Sequence, residues 1–444
     1  MLHITPADAL IDVPRHVRVT GLAAGEQVTL HSATVRGPGV AWRAAATFAA
    51  DARGSVDLAR DAPVAGSYGG ISPMGLWWSQ VPDEGAAARE LFSAEPAAAL
   101  TTRITMRRGG AQAWEADVVQ RLAAEGVARR EVREDGLTAV LYTPPARADG
   151  QGHPVVVVLN GSGGGMNEPR AALYASHGYA ALALGYFKAP GRPDYISNTP
   201  LEYFETALEW VHRTLRPRRG FVALSGQSRG GELVLLLGSM FPSLVSAVIG
   251  YVPGAVVHSA QNACDPATGR EGPAWLYRGQ ALPHLWENNR TATWKPWDDG
   301  PQPRRHAHAL LTALQDPEAV ERAAIAVERI RGPVLLLSAT DDGSWPSSLY
   351  SRMVADRLAR HRHPHAVEHL DFEGAGHSIL FPYLPTTQLV YAHPVSRRQS
   401  TTGGAALPNA QADEASWAGV LRFLERAVRT QGARETDDTP HPPA

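Results

Sequence analysis

The chain predicts an α/β protein with a mostly parallel sheet, preceded by an all-β sandwich. Three observations lead there. Short alternating segments, broken by Gly, Pro and Asp, fill the first 125 or so residues. From about residue 126, continuous apolar runs alternate with helical patterns. Within that alternation, "VALSGQSRGGELVLLLGSMFP", Val222 to Pro242, runs from β-formers through a glycine-flanked serine into a long apolar helix.

The first region reads as strands "HVRVTGL", "EQVTLHSATV", "VAWRAAATFAA", "GSVDLA" and "LTTRITMRR". Turn signals every 8–12 residues or so suggest an immunoglobulin-like sandwich over residues 1–125. The aromatic stretch "SPMGLWWSQVP" is expected to pack between domains. A hairpin, "ARREVRE" with "LTAVLYTPP", opens the second region, 126–432. "PVVVVLN" is a run expected of a strand covered on both faces. Helix "EPRAALYASHG", strand "YAALALGYF", helix "PLEYFETALEWVHRTL" and strand "GFVALSG" lead to the serine. After it come helix "GGELVLLLGSMF", strands "VSAVIGYV" and "GPVLLLSA", helix "SSLYSRMVADRLARH", strand "AVEHLDFE" and a last helix, "ADEASWAGVLRFLERAVRT". Strand–helix alternation means a parallel sheet with helices on both faces. Residues 255–325, rich in Trp, Pro, His and Arg, interrupt the alternation and read as a lid or substrate wall. The polar, proline-rich stretch 433–444 is expected to be a disordered tail.

Composition narrows the function classes. The 444 residues are 44% hydrophobic and 19% charged, with net charge −2, so nothing calls for nucleic acid or an anionic membrane. Cys264 is the single cysteine, which excludes an intrachain disulfide and a cysteine zinc site and fits a cytoplasmic location. No secretory signal and no run of 18 apolar residues is found, so no membrane span is expected. The four histidines of "HRHPHAVEHL" lack ordered ligand spacing and read as a solvated loop; no metal and no separate cofactor is expected. The glycines of "GSGGGMN" lack the Lys-Ser/Thr ending of a phosphate loop. Oligomeric state is not legible.

Gly226-Gln227-Ser228-Arg229-Gly230 is G-x-S-x-G between a strand and a helix, the nucleophile elbow of an α/β-hydrolase. Such a turn strains the serine backbone and needs small neighbours, which displays the hydroxyl at a helix N-terminus. Serine alone is a poor nucleophile and needs a base. In this fold the acid and then a histidine follow the serine along the chain. "GPVLLLSATDDGSWP" is a strand ending in carboxylates. Asp341 and Asp342 both stand there, and the G-x-x-D-x-x-x-P register of related hydrolases favours Asp342. "LDFEGAGHSI" carries His377 on a Gly-x-Gly loop just past the last core strand, where flexibility would let the ring reach Ser228. An oxyanion hole needs two backbone N–H groups. One is expected from Arg229. The other is expected from "LNGSGGGMNE", at Ser162 or Gly163.

From about residue 5 to 428 the chain resembles the acyl-CoA thioesterase and bile acid-CoA:amino acid N-acyltransferase family. The resemblance rests on several motifs in series: "PADALIDVPRHVRVTGLAAGEQVTL", "GSYGGISPMGLWWS", "REVREDGLTAVLYTPP", "WLYRGQALPHL", "VERIRGPVLLLSATDDGSWPS", "FEGAGHSI" and "GGAALPNAQADEASW". It implies a triad of Ser228, Asp342 and His377 acting on an acyl thioester of coenzyme A, which enters as part of the substrate. Amino-acid-conjugating members resemble this chain but carry cysteine at the nucleophile, so serine implies hydrolysis. The competing expectations are acyl transfer to an amine or alcohol, hydrolysis of another ester, lactone or peptide, and a non-catalytic binding protein.

Overall fold

The computed structural model describes residues 1–83, 90–92, 98–109 and 111–437. The chain divides into two compact units. The first holds Met1–Ala124 together with Leu380–Tyr391 and Ala405–Ala415. The second holds Glu125–Ile379, Ala392–Gly404 and the residues from Ser416 onward. The sequence suggested one boundary near residue 125 and no later returns. Segments of about a dozen residues are too short to show a period of their own.

In the first unit, a larger antiparallel sheet runs in the order Ala111–Arg121, Leu100–Arg108, Gln27–Arg36, Val40–Ala49, with Asp8–Leu10 added in parallel at one edge. A three-stranded sheet pairs Leu2–Thr5, His16–Val19 and Val56–Asp57. The two sheets share one apolar core. Val17, Val19 and Val56 of the small sheet cluster with Leu30, Phe48, Ile104 and Met106 of the large one. Strict alternation of buried and less buried residues along Gln27–Arg36 shows why this sequence makes a one-sided sheet. Two readings change. Trp77 and Trp78, expected between domains, lie in the sandwich's own core beside Tyr68 and Met74. Ala111–Arg121 is a long strand the sequence did not reveal, because polar Glu115, Asp117 and Gln120 hide its alternation.

The second unit is the α/β-hydrolase sheet. We number its elements β1 (Ala128–Val132), β2 (Ala139–Thr143), β3 (Val155–Leu159), α1 (Glu168–Ser176), β4 (Ala180–Leu184), α2 (Glu202–Trp210), β5 (Val222–Gln227), α3 (Arg229–Met240), β6 (Ala247–Tyr251), β7 (Val334–Ala339), α4 (Ser347–Arg360), β8 (Val367–Phe372) and α5 (Ala406–Asp437), which belongs to this unit from Ser416 onward. Strand order is β1-β2-β4-β3-β5-β6-β7-β8. The β1–β2 and β2–β4 pairs are antiparallel, and every later pair is parallel. All residues of β3, β4, β6 and β7 are buried, as expected where helices cover both faces. The last helix extends through Asp437, past residue 433 where a tail was expected; residues 438–444 lie outside the described residues. Among the described residues no helix is long and apolar enough to cross a membrane.

The segment 255–325, expected as a lid or wall, is folded into the main core. Val256, Trp275, Leu285, Trp297 and Leu310 belong to the same buried cluster as Leu224 of β5 and Leu233 of α3. Its elements are only two to seven residues long, which explains the weak periodicity. Aromatic stacking organises it. Trp286 and Trp294 lie 3.8 Å apart and 2° from parallel, and His306 stacks on Trp294. The His306 Nδ1–H donates to the Ser344 carbonyl at 3.0 Å.

Burial pushes the His306 pKa down to about 3. The unfolded chain, with a histidine near about 6.5, therefore takes up this proton first. Stability is complete above about pH 6.5 and falls on acidification toward pH 3, by about 1.4 kcal/mol per pH unit for this one residue. Urea unfolding between pH 7 and 4 should show a total slope that includes this contribution, and His306→Asn should flatten it by about that amount. Equal slopes in the two proteins would refute the assignment.

Candidate active site

β5 ends in the elbow. Ser228 has φ 59° and ψ −119°, a strained conformation for a residue with a side chain. Its N–H donates to the Tyr251 carbonyl at 2.8 Å, which ties the turn to β6. The flanking glycines are required by contact. A Cβ on Gly226 would stand 2.1 Å from the Gly230 carbonyl oxygen. A Cβ on Gly230 would stand 2.5 Å from the Leu159 carbonyl oxygen, at the end of β3. Gln227 between them is half-buried.

His377 and Asp342 converge on this serine. His377 Nε2 is 2.7 Å from Ser228 Oγ, and His377 Nδ1 is 2.8 Å from Asp342 Oδ2. The other Asp342 oxygen accepts backbone N–H bonds from Ser344 at 2.8 Å and Trp345 at 3.1 Å. Asp342 is 7% exposed and His377 8% exposed, so both work largely out of water. The neighbouring Asp341 has a different task. It binds Arg305 at 2.6 Å and accepts the Gly404 N–H at 2.9 Å. The loop carrying His377 is not loose, as its Gly-x-Gly spacing suggested. The His377 N–H donates to the Thr402 carbonyl at 2.8 Å, and a Cβ on Gly376 would sit 2.2 Å from the Gly403 oxygen. Gly376 is needed for close approach rather than for motion.

The loop after β3 passes over the serine. A Cβ on Gly161 would lie 3.2 Å from Ser228 Cβ and 3.8 Å from its Oγ. The Gly161 N–H is already given to Asn160 Oδ1 at 3.1 Å. Ser162 and Gly163 follow, and the Ser162 hydroxyl lies 2.9 Å from His393 Nε2. A Cβ on Gly163 would meet Pro394 at 3.5 Å. Arg229 opens α3 directly after Ser228.

Beneath the elbow lies a polar network that sequence reasoning missed. Arg229 and Glu232 are buried and paired at 2.9 Å. Arg229 also donates to the Ser259 carbonyl at 2.7 Å. Glu232 accepts from His258 Nδ1 at 2.8 Å and from Trp275 Nε1 at 2.9 Å, and His258 Nε2 meets Tyr350 Oη at 2.9 Å. Burial works to raise the Glu232 carboxyl, but Arg229 and His258 outweigh it and hold it below the usual range. Burial lowers His258 and raises Tyr350. The network is therefore a carboxylate receiving from a guanidinium and a neutral imidazole, with the Tyr350 hydroxyl donating to the far imidazole nitrogen. A lone carboxylate in the apolar run "GGELVLLLG" was the available signal.

Residues 199–430 match the family described as BAAT / acyl-CoA thioester hydrolase C terminal, and residues 12–134 match the acyl-CoA thioester hydrolase/BAAT N-terminal region. The chain belongs to this family of α/β-hydrolase enzymes. Similar relatives include acyl-coenzyme A thioesterase 6 of Mus musculus, 30% identical over 94% of this chain and 93% of its own length. The mitochondrial acyl-coenzyme A thioesterase 2 of Rattus norvegicus is 29% identical over 94% of this chain and 87% of its own. The peroxisomal succinyl-coenzyme A thioesterase of Mus musculus is 28% identical over 95% of each.

The two adjacent carboxylates make separate predictions. Asp342→Asn should drop kcat by about 10⁴-fold, because the imidazole would be held in the wrong tautomer. Asp341→Asn should stay within about tenfold of the parent, since it braces a turn without touching His377. Steady-state hydrolysis of an activated ester measures both. Similar losses in the two variants would contradict the assignment of the acid.

Proposed function

We propose that the protein is a serine acyl-CoA thioesterase, hydrolysing an acyl-CoA to the free acid and coenzyme A. The observation that carries this reading is the continuous hydrogen-bonded line Asp342–His377–Ser228, in a chain of this family with serine at the nucleophile position. His377 Nδ1–H donates to Asp342, which leaves Nε2 as the acceptor of the Ser228 proton. Ser228 Oγ attacks the thioester carbonyl carbon as that proton moves to His377. Charge developing on the carbonyl oxygen is met by the backbone N–H of Arg229 and by one from Ser162 or Gly163, each worth about 2.7–4 kcal/mol in comparable sites.

The tetrahedral intermediate then expels the coenzyme A sulfur. A thiol with a pKa of roughly 8.5 is a far easier leaving group than an amine. His377 returns its proton to the leaving sulfur. Water next attacks the acyl-serine, with His377 as base, and the carboxylic acid departs with Ser228 restored. No cofactor enters this scheme, since coenzyme A arrives as part of the substrate. The compartment proposed is the cytoplasm, a reducing setting that suits a chain with one cysteine.

The purified protein should release free thiol from acyl-CoAs in a panel of increasing chain length. Ser228→Ala should lose at least about a hundredfold of that activity. Free acid should appear in step with the thiol. Undiminished turnover in the variant would overturn the serine mechanism. A conjugate outgrowing free acid on addition of glycine or taurine would replace hydrolysis by acyl transfer.

A further inference from the structure

His393 is a buried histidine that no motif in the sequence singled out, and its ring has a defined tautomer. Nδ1 lies 3.2 Å from the Val395 backbone nitrogen and 3.3 Å from that of Ser396. Both groups are N–H donors, so Nδ1 is the acceptor. A neutral imidazole with its lone pair on Nδ1 carries its proton on Nε2. That Nε2 is 2.9 Å from Ser162 Oγ. His393 therefore donates and Ser162 accepts, which leaves the hydroxyl proton of Ser162 available to point elsewhere.

The ring is held rigidly. The His393 N–H donates to the Arg398 carbonyl, and the Arg397 N–H to the His393 carbonyl, each at 2.9 Å. Lys188 Nζ donates to the Pro394 carbonyl at 2.9 Å and clamps the turn to the segment after β4. A few residues on, Thr402 and Gly403 brace the His377 loop. One stretch, 393–403, thus supports both the catalytic-base loop and the loop that crosses Ser228. Within the crossing loop, the Gly161 N–H is occupied by Asn160. Among the described residues the Ser162 N–H has no hydrogen-bond partner.

We propose that His393 is a positioning residue for the oxyanion hole: its Nε2–H grips Ser162 Oγ and holds the Ser162 backbone N–H toward the carbonyl oxygen above Ser228. The inference rests on the acyl-serine reading given above. Preorganisation of this kind speeds the chemical step without tightening substrate binding, because the donor faces charge that exists only in the transition state.

The test compares His393→Ala, His393→Gln, Ser162→Ala and the double variant His393→Ala/Ser162→Ala. Each is assayed by thiol release from an acyl-CoA, by hydrolysis of a p-nitrophenyl ester, and by inhibition with an acyl trifluoromethyl ketone, which adds to the serine as an oxyanion. Thermal unfolding is followed alongside. His393→Ala should lower kcat about tenfold to a hundredfold, less than deletion of a donor outright, with KM within about twofold. The ketone should weaken by a similar factor, His393→Gln should recover part of the loss, and the double variant should match the worse single one. Where His393→Ala fails to fold, His393→Gln and Ser162→Ala carry the comparison.

A rise in KM at unchanged kcat, ketone affinity equal to that of the parent, or fully additive losses would overturn the proposal. The ester separates it from the substrate assignment. Parent protein that cleaves the ester but no acyl-CoA refutes the thioesterase reading, while His393 is still judged on ester kcat and ketone binding.

Discussion

The active site depends on one strained residue. Ser228 sits at a positive φ because β5 must turn into α3 within a single residue, with β3 on one side and β6 on the other. Such a conformation costs about 1–3 kcal/mol and persists only when its surroundings over-determine it. Those surroundings are visible: the bond from the Ser228 N–H to Tyr251, the contacts that forbid a Cβ at Gly226 and Gly230, and the buried apolar length of α3. The strain lifts the hydroxyl out of the sheet toward the imidazole. It also presents the first N–H of α3, where the helix dipole favours developing negative charge.

A second constraint is electrostatic. Burying Arg229 and Glu232 beside Ser228 removes two charges from water, at a cost that hydrogen bonding has to offset. Glu232 receives bonds from Arg229, His258 and Trp275, and His258 in turn meets Tyr350. These partners come from α3, from the 255–325 segment and from α4. The network therefore joins the elbow to the insertion that interrupts the alternation. A buried guanidinium has few alternative partners, so the start of α3 has little freedom to move relative to Ser228.

Much of this was legible in the sequence, and the failures have physical causes. The parallel sheet announced itself because strands buried on both faces are continuous apolar runs, as in "PVVVVLN" and "PVLLLSA". The elbow was readable because only glycine tolerates the contacts at positions 226 and 230. Ser228, Asp342 and His377 follow the order the fold imposes, and the structure brings all three within hydrogen-bond distance. Arg229 follows the serine directly, and the loop after β3 comes close to it at Gly161. What stayed hidden was support that arrives from far along the chain. His393 is 231 residues from the serine it grips, in a turn with no periodicity. The return of residues 380–391 and 405–415 to the sandwich unit leaves no pattern either. The 255–325 segment reads as a lid or substrate wall because its elements are too short to show a period, and its tryptophans prove to be core residues.

The central claim is that Ser228 is nucleophilic because His377 takes its proton. Labelling with a fluorophosphonate probe, followed by peptide mapping, tests it most directly. The account predicts phosphonylation of Ser228 in the parent protein and its near-complete loss in His377→Ala. Undiminished labelling of that variant, or a label on any other residue, would contradict it.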